Sequence, residues 1–315
     1  MAREVQQKVE SNHVYRYILE PYRSPSSRIT CPNCRAKHSY ARYVDVTNGE
    51  VLDDKFGKCD RVERCGYFET PYGADIENTS LMVPQKEVKE KYKEQFTGPI
   101  SLINKAVVLE SQTMEDSFSK FLIKKFGHEK AVPALLKYKV GESTKWDGAT
   151  VFWQLDEEYD VRTGKIILYD DEGKRVKKPF PKISWEHIAD KFLDEIPDFN
   201  LKQCLFGQHL VKEETEICHI VEAEKTAVIC DIFSKAEGVW ISIGGLEMIS
   251  EERLRPLQGK KLIFYPDKGD KAQEKWTKKL EPLMGEWDIR INKSLESSTL
   301  EDGSDLADYI LTIEN

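Results

Sequence analysis

The stretch ICHIVEAEKTAVIC, residues 217–230, decides the fold of the C-terminal third of this 315-residue chain. An apolar run rich in Ile and Val predicts a buried strand over 217–223, and the segment 224–236 that follows it has helical spacing. Alternating strands and helices predict a mostly parallel sheet that helices cover. The alternation continues to the C-terminus, with apparent strands at 239–244, 261–267 and 287–293 and helices at 247–257, 271–283 and after Asp305.

Toward the N-terminus the pattern changes, and the whole chain is predicted to be an α+β protein of several domains. Helical spacing from Ile100 is followed by the alternating stretch 150–177, whose turn signals predict antiparallel hairpins. Short elements and paired cysteines occupy the first 80 residues. We predict a cysteine-containing domain at 1–80, a charged linker at 81–99, a middle α+β domain at 100–210 and an α/β domain at 211–315.

The composition excludes several classes of protein. Hydrophobic residues make up 40% of the chain and charged residues 32%, which is enough apolar material for packed cores. The polar N-terminus MAREVQQKVE lacks the apolar region of a signal peptide, and no run of about eighteen apolar residues predicts a membrane span. We therefore expect a cytoplasmic protein without a membrane partner, in which the cysteines do not form a disulfide framework.

Two cysteine pairs, separated by 24 residues, form the sharpest motif of the sequence: Cys31, Cys34, Cys59 and Cys65. The short spacing of the first pair lets one turn present both sulfurs to a tetrahedral ion, and Asn48-Gly49 predicts a β-hairpin between the pairs. This pattern predicts a zinc β-ribbon whose zinc is structural, because four protein ligands leave no open coordination position. The second pair has an unusually wide gap, so His38 is an alternative ligand. Ordinary free thiols and a redox Cys-x-x-Cys are the other interpretations.

Basic and aromatic residues are interleaved around the cysteines. Residues 1–80 carry 12 basic and 12 acidic side chains, so the remainder of the chain carries the entire net charge of −8. Basic groups mixed with aromatic rings suit the phosphates and stacked bases of single-stranded DNA, although a solubilising surface has the same composition. The candidate nucleic-acid-binding residues are Arg28, Lys37, Arg42, Tyr43, Arg61 and Arg64.

Acidic residues stand at the ends of the predicted parallel strands. Glu222 ends the first strand, Asp267 ends the third, and Asp270 lies three residues further on. Ligands of open α/β sheets bind at the carboxyl ends of strands, and carboxylates that converge there can hold Mg²⁺ or Mn²⁺. Asp305 is a weaker candidate ligand, because it could instead cap the last helix. The alternative interpretation is that these are exposed acids without a metal.

Taken together, these features resemble DnaG-like primases of bacteria and phages. The C-terminal domain resembles a Toprim domain, and the chain is similar to Toprim-containing primase-like proteins of phages and mobile elements. Besides the cysteine motif, the resemblance is carried by Val221-Glu222-x-x-Lys225, Gly244-Gly245, Tyr265-Pro266-Asp267, Lys182-Ile183-Ser184-Trp185 and Cys204-Leu205-Phe206-Gly207.

The resemblance implies a DNA primase, a nucleotidyltransferase of DNA replication that uses nucleoside triphosphates with Mg²⁺ or Mn²⁺. In that family a glutamate and the aspartates of an Asp-x-Asp motif hold catalytic metal, and they match Glu222 and Asp267. The chain departs from the motif at Gly269, where the family has its second aspartate, and Asp270 is displaced by one residue. No helicase-type phosphate loop (Gly-x4-Gly-Lys-Ser/Thr) occurs, so we expect a replicative helicase to be a separate partner.

Two other functions fit the same residues, and the sequence leaves enzymatic activity open. One is a replication accessory protein that binds nucleic acid after losing its catalytic carboxylates. The other is a Toprim nuclease, which would use similar acids to cut a strand rather than to extend one.

Overall fold

The N-terminal cysteine-containing part of the chain consists of short antiparallel strands. The computed structural model describes residues 13–22, 27–61, 64–71, 82–84, 89, 100–188, 199 and 201–313. Residues 1–100 and 197–200 form a first unit. Strands β2, β3, β4 and β5 form one antiparallel sheet in that order, and β1 pairs with β6. The strands are β1 (His13–Tyr15), β2 (Tyr17–Leu19), β3 (Tyr40–Asp45), β4 (Gly57–Cys59), β5 (Phe68–Glu69) and β6 (Met82–Pro84).

The charged segment predicted as a linker, 81–99, lies mostly outside the described residues. Its described part is β6 and Lys89. Because β6 pairs with β1 over three residues, the beginning of this segment belongs to the two-stranded sheet of the first unit.

The second unit comprises residues 101–196 and 201–315, and it begins with helices that pack on an antiparallel sheet. The sheet order is β10-β9-β8-β7 and every pairing is antiparallel, so antiparallel hairpins are present. The turn predicted at Arg162-Thr163-Gly164 is wrong, because these residues lie inside β9 and the chain turns at 156–160 instead. Every residue of β8 is buried, because this central strand is covered on both faces. The elements are α1 (Lys105–Ser111), α2 (Ser117–Phe126), α3 (His128–Lys137), β7 (Val140–Ser143), β8 (Ala149–Leu155), β9 (Val161–Ile167) and β10 (Ile183–Trp185).

The predicted strand–helix alternation forms a four-stranded sheet in which every pairing is parallel, in the order β12-β11-β13-β14. The prediction of a mostly parallel sheet is confirmed, although each strand ends two or three residues earlier than the apolar run suggests. The elements are β11 (Ile217–Val221), α4 (Glu224–Phe233), β12 (Val239–Ser242), α5 (Glu251–Leu254), β13 (Lys261–Phe264), α6 (Asp270–Leu280), β14 (Ile289–Ile291) and α7 (Leu306–Ile313).

One hydrophobic core joins the antiparallel sheet to the parallel one. Phe118, Phe152 and Tyr138 from the first half of the unit are buried in the same cluster as Val221 and Trp240 from the second half. The predicted boundary at residue 210 therefore falls inside a continuously packed unit. A second core, containing Leu254, Trp276 and Leu280, covers the opposite face of the parallel sheet.

No helix in the described part of the chain has both the length and the apolar character needed to cross a lipid bilayer.

Candidate functional site

The four cysteines of the sequence motif lie close together in the first unit. Their Sγ atoms all lie within 4.8 Å of one another, with 3.7 Å between Cys31 and Cys65 and 3.9 Å between Cys34 and Cys59. A tight turn presents the first pair, since the Arg35 N–H donates to the Cys31 carbonyl oxygen at 3.0 Å. The fold thus assembles one four-sulfur cluster from the turn at 31–35, the end of β4 and the loop that follows it.

The donor set fits a structural zinc ion, which prefers four tetrahedral thiolate ligands. Burial raises the pKa of Cys59 to about 12. Burial also acts to raise the pKa of Cys65, but hydrogen bonds from the Tyr67 N–H and the Asn33 side chain outweigh it and lower the pKa to about 6. A bound divalent cation would hold all four groups as thiolates. His38 is exposed and is not one of the clustered donors found among the described residues.

The hydrophobic core around the cysteines is small. Its buried members in the described structure are Cys31, Tyr40 and Cys59, and partly buried residues surround them. Two of these three side chains belong to the cluster itself. Because so little apolar surface is buried, a metal ion would contribute much of the folding free energy of this unit.

Half of the residues predicted to bind DNA from the ribbon are engaged within it. The Arg28 side chain pairs with Asp60 at 3.1 Å and donates to the Glu20 carbonyl oxygen at 2.9 Å. Arg42 lies 3.5 Å from the Glu20 carboxylate. Tyr43 is only 7% exposed. These three side chains stabilise the ribbon and present little of their surface to a ligand.

The remaining predicted residues are more accessible. Lys37 and Arg64 are exposed, and a guanidinium nitrogen of Arg61 lies 3.9 Å from the Cys34 sulfur. Arg61 is therefore placed to donate a hydrogen bond to the cluster, which would stabilise a thiolate there. Because Arg61 contacts the cluster, Lys37 and Arg64 are the more accessible cations of the predicted set.

A cation–aromatic pair on the sheet of the ribbon was not identified from the sequence. The Lys58 ammonium lies 5.8 Å from the ring centroid of Phe68, and this ring is 54% exposed. The two residues are direct partners in the β4–β5 pairing. An exposed ring beside a cation suits a stacked base and its phosphate. Only the register of β4 and β5 shows that Lys58 and Phe68 are neighbours, and the sequence alone does not give this register.

In the second unit, the carboxyl edge of the parallel sheet borders a cleft of about 910 Å³. Glu222 directly follows β11, and Asp267 lies three residues after the end of β13. Because these strands are parallel neighbours, both loops open at the same edge. The charged residues that line the cleft are Glu222, Asp267, Asp270, Asp302, Lys268, Lys271 and Lys275.

The carboxylates at this edge interact electrostatically. Burial raises the pKa of Asp267 to about 7, with further contributions from the negative charges of Glu222, Asp305 and Asp308, while Lys225 acts in the opposite direction. Mutual repulsion of this kind disfavours a full set of ionised acids unless a cation is present. The fold therefore brings Glu222 and Asp305 within electrostatic reach of Asp267.

Asp270 and Asp305 occupy different kinds of position. Asp270 is exposed and is the first residue of α6. Asp305 Oδ1 accepts a hydrogen bond from the Asp308 N–H at 2.9 Å, and Asp308 Oδ2 accepts one from the Asp305 N–H at 3.0 Å. This reciprocal pair is a helix capping box at the start of α7. The capping role that the sequence suggests for Asp305 is therefore present. The Asp305 carboxylate also lies 3.5 Å from the Lys225 ammonium.

The acidic cleft fits a magnesium or manganese ion less closely than the cysteine cluster fits zinc. Among the described residues, the four cysteines are the only group of three or more potential ligands that lie within 4.8 Å of one another. Mg²⁺, however, commonly binds through one or two carboxylates, several waters and substrate phosphates. Glu222 and Asp267 provide oxygen donors of this kind, and their repulsion would be relieved by a cation.

A buried ion pair beside the cleft also was not identified from the sequence. The Lys165 ammonium, on β9, lies 3.0 Å from both carboxylate oxygens of Glu224 and 3.3 Å from the Gly244 carbonyl oxygen. The Glu224 side chain is 1% exposed. The pair ties the antiparallel sheet to the two loops that carry Glu222 and Gly245. It joins residues 59 positions apart, so only the fold brings them together.

Two families match parts of the chain. A zinc beta-ribbon finger family matches residues 15–80, which contain the four cysteines. The family described as "Domain of unknown function (DUF6371)" matches residues 116–268, from the start of α2 to the loop after β13. The ribbon match and the four-sulfur cluster together support a structural zinc ion in the first unit. No curated protein matches the chain in sequence.

Solved structures similar to this chain include several primase domains. The primase fragment of the bacteriophage T7 primase-helicase is 14% identical, covers 91% of this chain and 96% of its own, and has a TM-score of 0.41. The DnaG catalytic core is 12% identical over 66% of this chain and 73% of its own, with a TM-score of 0.43. The RNA polymerase domain of Mycobacterium tuberculosis DnaG is 13% identical over 67% and 75%, with a TM-score of 0.44.

Proposed function

We propose that this chain is a primase-like DNA replication protein of the cytoplasm. In this proposal the ribbon binds a single-stranded DNA template, and the acidic cleft binds nucleoside triphosphates with Mg²⁺ or Mn²⁺. The observation that carries the proposal is the cleft, where Glu222 and Asp267 face the same space as Lys271 and Lys275. Carboxylates suit a divalent cation, and lysines suit the triphosphate that shares it.

The position of α6 supports a triphosphate site. Lys271 and Lys275 are four residues apart near the start of this helix, so they lie on one face, and both line the cleft. Both side chains are exposed. The first N–H groups of a helix also favour a negatively charged ligand. Lys271 and Lys275 therefore complement phosphate charge at this end of the cleft, beside the exposed Asp270, whereas the edge formed by the strand ends complements a cation.

The proposed reaction is nucleotidyl transfer. The 3′ hydroxyl of the growing strand forms a bond to the α-phosphorus of a nucleoside triphosphate, and the bond to pyrophosphate breaks. Bound metal would neutralise the phosphate charge and align the reacting oxygens. Glu222 would accept the hydroxyl proton or orient the metal, and Asp267 would be a metal ligand. Both follow strands of a packed sheet, which holds them rigidly.

A basic segment of the second unit favours nucleic acid as the macromolecular partner. Residues 174–182 contain five basic and no acidic side chains in a chain of net charge −8. Lys177 and Lys178 are exposed, and the Phe180 ring among them is 47% exposed. Clustered cations interact with a phosphate backbone, and the exposed ring suits an unpaired base.

We also propose that unwinding is performed by a separate helicase.

One observation favours a noncatalytic accessory protein as the second candidate. No three carboxylates of the described residues lie within ligand distance of a single ion, and Asp305 is used as a helix cap. An accessory protein would keep the ribbon and the basic segment and would not need a catalytic metal.

Incubation of the full chain with a single-stranded template, labelled nucleoside triphosphates and Mg²⁺ or Mn²⁺ tests this proposal. Template-dependent products longer than a dinucleotide would support primase activity. Shortening of a labelled template would instead indicate a nuclease, and binding without turnover would indicate the accessory protein. Asp267→Asn should lower incorporation about a hundredfold or more. Asp288→Asn is the matched control, because Asp288 is exposed and directly precedes β14, at the opposite edge of the parallel sheet from Asp267.

A further inference from the structure

The loop that departs from the Asp-x-Asp motif, residues 267–270, is joined to the acidic loop 296–304. The Lys268 ammonium donates to two carbonyl oxygens of that loop, at 2.6 Å to Ser298 and 2.6 Å to Leu300. An ammonium has three donors and no acceptor, so converging carbonyl oxygens are a fitting environment for it. Through these short charge-assisted hydrogen bonds, the Lys268 side chain holds the acidic loop in place.

Backbone hydrogen bonds join the same two loops. The Gly303 N–H donates to the Lys268 carbonyl oxygen at 2.8 Å, and the Lys268 N–H donates to the Ser304 carbonyl oxygen at 2.9 Å. The Gly269 N–H donates to the Glu296 side chain at 3.2 Å. Lys268 therefore contacts the acidic loop through its side chain, its N–H and its carbonyl oxygen.

Gly269 lets the acidic loop approach closely. It is buried and has a φ of +116°, and a Cβ atom at this position would lie 3.1 Å from Asp302 Cγ. A side chain there would therefore be strained and would push against the Asp302 carboxylate. The pair Lys268-Gly269 thus fixes where Asp302 stands at the edge of the cleft, and it anchors the loop that leads into Asp305.

We propose that Lys268 is a positioning residue, whose ammonium holds the loop 296–304 so that Asp302 keeps a set distance from Asp267. This role rests on the proposed function, since it concerns the cation affinity of the same cleft. The ammonium of Lys268 is already occupied by two carbonyl oxygens, so it acts on the cleft through the loop rather than by contacting a ligand. Lys268 and Gly269, the two residues between Asp267 and Asp270, supply this anchor.

Hydrogen exchange and Mn²⁺ binding of the full chain test the proposal. Lys268→Met should raise the exchange rate of the Gly303 amide about tenfold, because a hydrogen bond to a charged group is lost from the loop. It should also weaken Mn²⁺ binding, followed by electron paramagnetic resonance, at least fivefold at an unchanged melting temperature. Lys268→Arg should restore part of both effects. Lys278→Met, which alters an exposed lysine of the helix α6 that follows this loop, is the control and should change neither.

Gly269→Ala provides a second perturbation that leaves the ammonium in place. It should also weaken Mn²⁺ binding, because the added methyl group displaces Asp302. Unchanged Gly303 exchange in Lys268→Met would overturn the proposal, and so would faster exchange with unaltered Mn²⁺ affinity. If wild-type protein shows no Mn²⁺ binding that Asp267→Asn removes, the proposed metal site itself fails. The exchange comparison, made without metal, identifies which of the two has failed.

Discussion

The cysteine cluster of the first unit and the acidic cleft of the second differ in how completely the protein assembles them. Four sulfur atoms lie within 4.8 Å of one another in the first. In the second, carboxylates are distributed around about 910 Å³, where water and a ligand have room. A closed ligand set suits a structural ion, whereas an open set leaves positions for a substrate. One metal would therefore stabilise the fold, and the other would bind a ligand together with the protein.

The largest effect is expected in the ribbon. Cys31→Ser or Cys59→Ser should reduce zinc from about one ion per chain to near zero and unfold the first unit, because the remaining core is small. Elemental analysis and circular dichroism would measure these changes. Cys204→Ser is the control, since Cys204 is a buried thiol outside the cluster. Full zinc retention in both cluster variants would contradict the assignment.

The next largest effect concerns the cleft. Asp267→Asn should lower metal-dependent activity about a hundredfold or more while preserving the fold. The pKa of Asp267 is raised to about 7, so the folded state binds a proton more tightly than the unfolded state does. The associated stability is present below about pH 4 and is lost as the pH rises through 7.

Without added divalent cation, Asp267→Asn should therefore be more stable than wild type at pH 8.5, and this advantage should disappear near pH 4. Melting temperatures across this range would measure it. An earlier melting transition at pH 8.5 together with surviving activity would remove Asp267 from the proposed site.

A smaller effect is expected for DNA binding by the ribbon. Phe68→Ala should weaken single-stranded DNA binding by roughly 1–3 kcal/mol if the exposed ring stacks on a base. Lys58→Met should flatten the dependence of affinity on salt, since one phosphate contact fewer is made. Fluorescence anisotropy at several salt concentrations would measure both. Arg42→Met is the comparison. If only this variant flattens the dependence of affinity on salt, the residues predicted from the sequence form the binding surface instead of Lys58 and Phe68.

The smallest effect is expected for Asp305 and shows whether this residue is a helix cap or a metal ligand. Asn is as good a helix cap as Asp, and the lost ion pair with Lys225 is worth about 1 kcal/mol or less, so Asp305→Asn should change the free energy of unfolding by no more than about 1 kcal/mol. Mn²⁺ affinity should change less than threefold if Asp305 acts mainly through the capping box. A tenfold loss of affinity at unchanged stability would make Asp305 a metal ligand.

The sequence predicts the ribbon and the parallel sheet because both depend on local patterns. The Cys-x2-Cys spacing and the strand–helix alternation are readable within short windows, and the observed elements follow them. The partners of Arg28 and Arg42 depend instead on strand pairing, so residues that look available for DNA prove to be engaged. The contacts of Lys268 cannot be predicted from the sequence for the same reason, because they lie about 30 residues away along the chain.

The central claim, that the cleft and not the ribbon binds a metal–nucleotide complex, is tested most directly by binding of a fluorescent nucleoside triphosphate with Mn²⁺. The comparison uses wild type, Asp267→Asn and Cys31→Ser, each of which alters one region. We predict saturable Mn²⁺-dependent binding in wild type, its retention in Cys31→Ser, and its loss in Asp267→Asn. Equal binding by Asp267→Asn and wild type would contradict the account, as would loss of binding only when the ribbon is disrupted.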